Sequence, residues 1–324
     1  MKLNIKIKKD GAPHVHGTLW LDWQSLKKST DFPHISMAEV EKCFKLIKVQ
    51  EQLSSEQINE LVKFADALVS CSLKSPRTSH IVSEVNIHHH TKTCRKHGSD
   101  CRFHFPKFPT IRTIISTPAR ILFPDESKRK EMVEKAEKTL TEVKTVLKND
   151  FLMKGINCID EDVVKKSLER KKSIYSLECS LQETAENSIT LDRNIIGEDW
   201  EWMDEERLCS RDEVNDLLMK LSLKSCEDDK KVNKVMKDRL LHLLGIACAG
   251  SKEENLKNYE EALSIGQKGY GIHYKRGTDE IFVNNYNEEW MLNWNANLDF
   301  QLCLDYYSVI TYITDYYAKV IIIK

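Results

Sequence analysis

The sequence predicts an α+β fold in which strands near the two ends of the chain form the sheet and helices fill the middle. Alternation of apolar and polar residues over 1–8 and 294–302, with strand-like segments within 270–283, has the period of half-buried strands. Between them, apolar residues recur at helical spacing over 36–73 and, with many charges, from 126 to about 249. The sheet is therefore expected to join segments that are distant in sequence.

The composition is that of an intracellular globular protein. Hydrophobic residues make up 41% of the chain and charged residues 31%, and 324 residues suffice for one large domain or two ordinary ones. We find no apolar segment of membrane-spanning length and no secretory signal. The ten cysteines fit a reducing compartment and predict no disulfides, while a net charge of −1 argues against a uniformly basic nucleic-acid coat.

The first two elements are predicted to form a β-hairpin. Residues 1–8 alternate, and Asp10-Gly11 is typical of a tight turn. The next strand contains His14 and His16, which share one face because they are two residues apart. Neutral imidazole binds divalent metals, so this pair is either a metal site or a solvent-facing pair. Two helices follow, the second beginning near Ser54.

Residues 88–109 form a compact segment rich in His, Cys and aromatic residues. Its His-x-His-x3-Cys-x6-Cys spacing suits a structural zinc ion, since thiolates and imidazoles favour four-coordinate zinc. A merely polar loop is the alternative, and three further histidines leave the ligand choice open: His89, His97 and His104. Three phenylalanines either stack on bases or form a small local core, which we expect for at least two of them: Phe103, Phe105 and Phe108.

The stretch from Lys74 to Arg120 is locally cationic. It contains nine lysines and arginines against two acids, Glu84 and Asp100. This uneven distribution bears more on binding an anionic partner than the near-zero net charge does.

The remaining elements are predicted to be mostly helices. Residues 126–149 and further pieces up to about residue 249 have charged, solvated faces, with loops expected at 187–204 and 227–232. In the last predicted helix, from about Tyr306 to Ala318, Tyr312 and Tyr316 are four residues apart and share a face. These tyrosines either pack on the core or bring two hydroxyls to one site.

The histidine pair near the start of the chain and the tyrosine pair near its end could act together on a phosphodiester substrate. A metal held by two histidines can polarise a phosphate while a tyrosine oxygen attacks phosphorus and becomes covalently joined to one side of the break. Two tyrosines on one helical face would permit two successive transfers at one metal.

Three separated parts of the sequence resemble one known family. They are Gly11-Ala12-Pro13-His14-Val15-His16-Gly17 with Leu19-Trp20-Leu21; Phe282-Val283-Asn284-Asn285-Tyr286-Asn287 with Trp294-Asn295-Ala296-Asn297-Leu298-Asp299; and Tyr312-Ile313-Thr314-Asp315-Tyr316. In this order they resemble the HUH endonucleases, specifically the Rep domain of Helitron and Helitron-like rolling-circle transposons. The resemblance implies an antiparallel sheet of HUH-nuclease type built from strands at both chain ends, with a large, mostly helical insertion and a small zinc-binding module.

The resemblance also implies a role for each site residue. His14 and His16 would bind Mg²⁺ or Mn²⁺, and Tyr312 and Tyr316 would form 5′-phosphotyrosine links to single-stranded DNA. The family's His/Cys stretch favours as zinc ligands His88, His90, Cys94 and Cys101. The implied DNA contacts are Arg95, Lys96, Arg102, Lys107 and Lys319. A third ligand of the catalytic metal is expected, for which Glu84 and Asp315 are candidates without a motif.

The resemblance bears on partners and location as well. We expect single-stranded DNA as substrate, a nuclear location, and a helicase domain in the full-length protein. No Gly-x4-Gly-Lys-Ser/Thr phosphate loop occurs here, so no ATPase activity is expected of this chain. Two other functions remain open: a non-catalytic, zinc-dependent DNA-binding remnant of such an element, and a metal-dependent phosphoesterase that uses water.

The predicted organisation has five segments. They are the N-terminal part of the nuclease core at 1–35, a helical segment at 36–81, the basic His/Cys module at 82–120, a charged helical region at 121–268, and the C-terminal strands and tyrosine helix at 269–324.

Overall fold

The fold is mixed α+β, as predicted. The computed structural model describes residues 21–92, 94, 101–183, 187–192, 206–267, 269–304 and 314, together with the backbone of residues 2–7 and 13–18. The strands of these residues form three small, separate sheets among many helices. A continuous sheet of HUH type is not found among the described strands.

The N-terminal hairpin is formed by β1 (Lys2–Ile7) and β2 (Pro13–Thr18), which pair antiparallel. His14 lies opposite Lys6 in the register and His16 lies opposite Asn4. The hairpin prediction is confirmed. Within the described residues these two strands pair only with each other, so the predicted sheet shared with C-terminal strands is not confirmed.

Four helices follow the hairpin: α1 (Trp23–Leu26), α2 (Met37–Lys48), α3 (Ser55–Leu68) and α4 (Ser79–Val85). The predicted start of the second long helix is confirmed at Ser54, whose hydroxyl accepts a hydrogen bond from the Gln57 N–H while the Gln57 side chain accepts from the Ser54 N–H. α2 and α3 bury their apolar faces against each other, including the fully buried Phe64.

The central sheet has β3 (Ile114–Pro118) in the middle, parallel to β6 (Ile265–Gly266) and antiparallel to β7 (Gly271–His273). No strand is predicted from the sequence at residues 114–118. Every residue of β3 is buried, so this strand shows no alternation that would distinguish it in the sequence. The predicted strand at 270–275 corresponds to β7.

Helices dominate the middle of the chain, as predicted. They are α5 (Ala119–Leu122), α6 (Glu126–Leu147), α7 (Asp150–Asn157), α8 (Glu161–Glu183), α9 (Arg211–Ala247) and α10 (Lys252–Ser264). The largest core cluster lies between α6, α7, α9 and α10 and includes Leu147, Leu243 and Tyr259. None of the described helices is both long and apolar enough to cross a membrane.

Two predicted loops of this region are wrong where the structure describes them. In the first, residues 188–192 form β4 (Ser188–Asp192), which pairs antiparallel with β5 (Glu206–Ser210) and buries Ile189 and Leu191. The second, residues 227–232, lies inside α9. Charge alone suggested a loop there, but a run of charges without Gly or Pro continues a helix readily.

The C-terminal strands differ from the prediction after β7. Residues 280–283 form a turn with one bridge from Val283 to Ile87. Trp294 ends a short helix, α11 (Glu288–Trp294), which the Asn287 side chain caps and after which Asn295 is left-handed, with φ of 46°. The predicted tyrosine helix at 306–318 lies outside the described residues except for Thr314, which is helical and exposed.

Candidate metal centre

Four side chains from one short segment converge. The ligand atoms of His88, His90, Cys94 and Cys101 all lie within 4.8 Å of one another. His88 Nε2 is 3.3 Å from Cys101 Sγ, and His90 Nδ1 is 3.5 Å from Cys94 Sγ. Nitrogen and sulfur ligands of a tetrahedral zinc ion stand about 3.5 Å apart at ordinary bond lengths, so these atoms fit such an ion. These four residues are the zinc ligands that the resemblance to the Rep family implies.

Burial distinguishes these four residues from the other histidines nearby. Cys94 and Cys101 are 1% and 7% exposed, and His88 and His90 are half-buried. His89 and His104 are exposed, and neither belongs to the cluster. The remaining alternate, His97, lies outside the described residues.

Backbone hydrogen bonds hold the two cysteines in the loop. The Thr91 N–H donates to Cys94 Sγ at 3.2 Å, and the Cys94 N–H donates to the Thr91 carbonyl, also at 3.2 Å. The Cys94 carbonyl accepts from the Arg102 N–H at 2.9 Å, and the Cys101 carbonyl accepts from the His104 N–H at 2.8 Å. These bonds fix the backbone at both cysteines and so hold the two sulfur atoms near the histidines.

Aromatic rings cover the two histidines. Phe105 is stacked on His88, with ring centroids 4.3 Å apart and an angle of 8° between the planes. Phe282 meets His90 edge to face at 5.7 Å. Phe105 is buried with the cysteines, and Phe108 packs against the largest core cluster, whereas Phe103 is 44% exposed. Phe105 therefore belongs to a small local core, whereas Phe108 packs on the main core of the protein, so the small local core contains one of the three phenylalanines rather than two.

Three of the nine basic residues between 74 and 120, all within the described part of the chain, are paired with acids from the C-terminal part. These ion pairs are Lys74 with Asp279 and Glu280, Arg77 with Glu288 and Glu289, and Arg112 with Glu260. The count made from the sequence covered only the acids between residues 74 and 120, so it did not include these distant partners. The positive charge counted between residues 74 and 120 is reduced by these pairs, of which only Arg112 belongs to the module at 82–120.

Two of the implied DNA contacts are described. Arg102 is exposed and its guanidinium lies 4.5 Å from the Phe103 ring centroid. Lys107 is half-buried, and its ammonium group donates to the Phe103 carbonyl at 2.7 Å. Arg95, Lys96 and Lys319 lie outside the described residues.

Burial lowers the pKa of two basic groups, one in the His/Cys module and one next to it. It lowers the pKa of Lys107, and it lowers the pKa of His273 to about 4, to which the nearby Lys107 charge adds. His273 is therefore neutral at physiological pH. Its ring contacts Phe108, which places it on the core side of the module.

The residues of the implied nuclease centre are only partly described. His14 and His16 occupy alternate positions of β2. Tyr312, Tyr316 and Asp315 lie outside the described residues, and Glu84 is exposed on α4. The assignment of a catalytic metal and two nucleophiles therefore stays a prediction.

Sequence reasoning missed two residues that support the His/Cys cluster. Phe282 packs on the cluster, and the buried Asn86 bonds the segment that carries Phe282. The sequence holds one signal for them, since Phe282 begins one of the three parts that resemble the Rep family. That signal marks the residue without indicating what it contacts.

The chain was also compared with known proteins. No protein-family model matches it, and no curated protein or solved structure matches it either.

Proposed function

We propose that this chain is the nuclease portion of a Helitron-like Rep protein, a metal-dependent enzyme that nicks and transfers single-stranded DNA. The observation that supports this most is the convergence of His88, His90, Cys94 and Cys101, because the resemblance implies a zinc module with this ligand set. The hairpin register adds to this support, since β2 carries His14 and His16 at alternate positions.

The metal of the His/Cys cluster is proposed to be zinc in a structural role. Two thiolates and two imidazoles suit zinc, whereas Mg²⁺ prefers oxygen ligands. Four protein ligands complete a tetrahedral shell and leave no position for water or substrate. The cluster therefore stabilises the fold and takes no part in the chemistry.

Catalysis is proposed to occur between the two ends of the chain. Mg²⁺ or Mn²⁺ at His14 and His16 would supply positive charge at the scissile phosphate. The hydroxyl of Tyr312 or Tyr316 gives up its proton and its oxygen attacks phosphorus, while the bond from phosphorus to the 3′ oxygen breaks and that oxygen takes up one proton to leave as a hydroxyl. The protein is then joined to the 5′ phosphate until a free 3′ hydroxyl reverses the step.

The decisive experiment is adduct formation with a single-stranded oligonucleotide that carries the element's own end, in Mn²⁺. We expect a covalent protein–DNA species on denaturing gels that the double substitution Tyr312→Phe and Tyr316→Phe abolishes. Tyr317→Phe is the matched control, because it removes a neighbouring hydroxyl outside the two-tyrosine motif, and it should form the adduct normally.

Two outcomes would replace the proposal by its alternatives. DNA binding without any adduct in the wild-type protein would favour the non-catalytic zinc-dependent DNA-binding protein. Cleavage that leaves a free 5′ phosphate in the double tyrosine variant would favour a phosphoesterase that uses water.

Zinc content tests the structural site separately. We expect about one tightly bound zinc per chain by elemental analysis, lost in Cys101→Ser because a hydroxyl is a poor zinc ligand. His89→Ala is the control, since His89 lies between two ligands but is exposed and outside the cluster. Equal zinc in the wild type and Cys101→Ser would remove Cys101 from the ligand set.

A further inference from the structure

The first histidine of the metal cluster is hydrogen-bonded to the C-terminal part of the chain. Residues 86–88 run antiparallel to residues 282–284, with a bridge between Ile87 and Val283. The His88 N–H donates to the Phe282 carbonyl at 2.7 Å, and the Asn284 N–H donates to the Asn86 carbonyl at 2.9 Å. The backbone that carries His88 is therefore fixed by a segment almost two hundred residues away.

Asn86 extends this connection through its side chain. It is fully buried, its Nδ2 donates to the Asn284 carbonyl at 3.0 Å, and its Oδ1 accepts from the Leu298 N–H at 2.9 Å. The Asn86 side chain has hydrogen-bond partners for both its NH2 group and its carbonyl oxygen only when residues 284 and 298 are in place. The connection thus extends to Leu298 within the described segment 269–304.

Phe282 adds direct contact with the metal cluster. Its ring meets His90 edge to face, at an angle of 87°, and packs with Phe105 at a centroid distance of 6.4 Å. It also lies against the buried cluster formed by Cys94, Cys101 and Phe105. One residue therefore bonds the backbone of the first ligand and packs on the ring of the second.

We propose that Phe282 is a positioning residue that couples metal occupancy of the His/Cys cluster to the order of residues 282–298. This inference rests on the proposed zinc site. With the ion bound, His88 and His90 are fixed, and the Phe282 ring and carbonyl have rigid partners. Because coupling between two sites is reciprocal, the segment that the metal orders must in turn strengthen metal binding.

Hydrogen exchange of the full-length protein tests the first half of the coupling. Removal of zinc with a chelator should accelerate exchange of the Asn284 and Leu298 amides at least tenfold. Exchange in β4 and β5 should stay unchanged, because that hairpin packs in a separate hydrophobic cluster. Unchanged exchange at residues 284 and 298 after verified zinc loss would overturn the coupling.

Zinc release to a chromogenic chelator tests the reciprocal half. Phe282→Leu should release zinc about tenfold faster, the lower end of the effect of residues that support metal ligands. Phe282→Tyr keeps the ring and should release zinc at the wild-type rate. Phe108→Leu, a matched loss of a ring that packs on Tyr259 rather than on a ligand, should also match the wild type.

The results separate this inference from the proposed function, because neither measurement uses DNA. Wild-type release kinetics in a folded Phe282→Leu variant would overturn the coupling even if the DNA adduct forms. Absence of bound zinc in the wild type would overturn both the zinc site and the coupling. A coupled zinc site without a DNA adduct would leave this inference standing and overturn the nuclease.

Discussion

At the scale of single residues, Glu280 shows how a buried charge can organise a loop. The side chain is 2% exposed and accepts hydrogen bonds from the Lys74 ammonium at 2.9 Å, the Leu73 N–H at 2.8 Å, the Gly277 N–H at 2.7 Å and the Ser72 hydroxyl at 3.0 Å. These partners come from two distant parts of the chain. Glu280 therefore fixes residues 277–280, which precede Phe282 in the chain.

Removal of Glu280 is expected to be costly. Glu280→Ala leaves Lys74 buried with only Asp279 as an acidic partner, and breaking a buried pair in this way costs about 3 kcal/mol. Urea unfolding measures the loss. Glu289→Ala is the control, since it removes an exposed partner of Arg77 that solvent screens, and its loss should be far smaller than that of Glu280→Ala. Equal losses in the two variants would contradict a special role for Glu280.

The same residue gives the stability a defined dependence on pH. Burial raises the pKa of Glu280, but the Lys74 charge and the hydrogen bonds outweigh it and hold the pKa below the ordinary value of 4.5. A lowered folded pKa stabilises the protein above the unfolded pKa, and this stabilisation is lost as the pH falls through the folded value. Glu280→Gln should therefore flatten the fall of the free energy of unfolding below about pH 4.5.

At the scale of elements, helix starts depend on short-range chemistry. Side chains of Asp125, Asn149, Ser210 and Ser251 accept backbone hydrogen bonds at the starts of α6, α7, α9 and α10. Each bond satisfies an N–H that the helix itself leaves without a partner. Such starts are readable from sequence because all participants lie within one turn, as they do for α3.

The capping box of α3 provides a test at this scale. Ser54→Ala removes the hydroxyl that accepts from the Gln57 N–H at 3.3 Å and should cost about 1 kcal/mol of unfolding free energy. Ser55→Ala, one residue later on the exposed surface, should change stability little because alanine favours the helix. Chemical denaturation of the two variants decides whether the cap acts as described.

At the scale of the whole molecule, α9 links two separate hydrophobic clusters. Its N-terminal half packs with α8, β4 and β5, where Leu177 and Leu217 are buried, and its C-terminal half packs with α6, α7 and α10. Arg170 and Asp228 form an ion pair between α8 and α9, as do Lys171 and Asp229. Some charges that were interpreted as solvated helix faces therefore join two helices.

The sequence alone was sufficient where the determining contacts are local. The α+β class, the N-terminal hairpin, the start of α3 and the helical middle all follow from periodicity and caps over a few residues. The spacing between His88 and Cys101 likewise marked a candidate metal site, because the four side chains that could hold the ion lie within one short segment. Such features can be predicted from a short segment without knowledge of the rest of the chain.

Tertiary structure decided what depends on residues far apart. β3 is buried on both faces and gives no alternation, and the charges at Lys74 and Arg112 are neutralised by acids that only folding brings near. Only the fold places Phe282 on the cluster and Asn86 between residues 284 and 298. The physical reason is that capping hydrogen bonds and apolar periodicity depend only on residues close in sequence. Burial and charge pairing depend instead on which distant segments pack together.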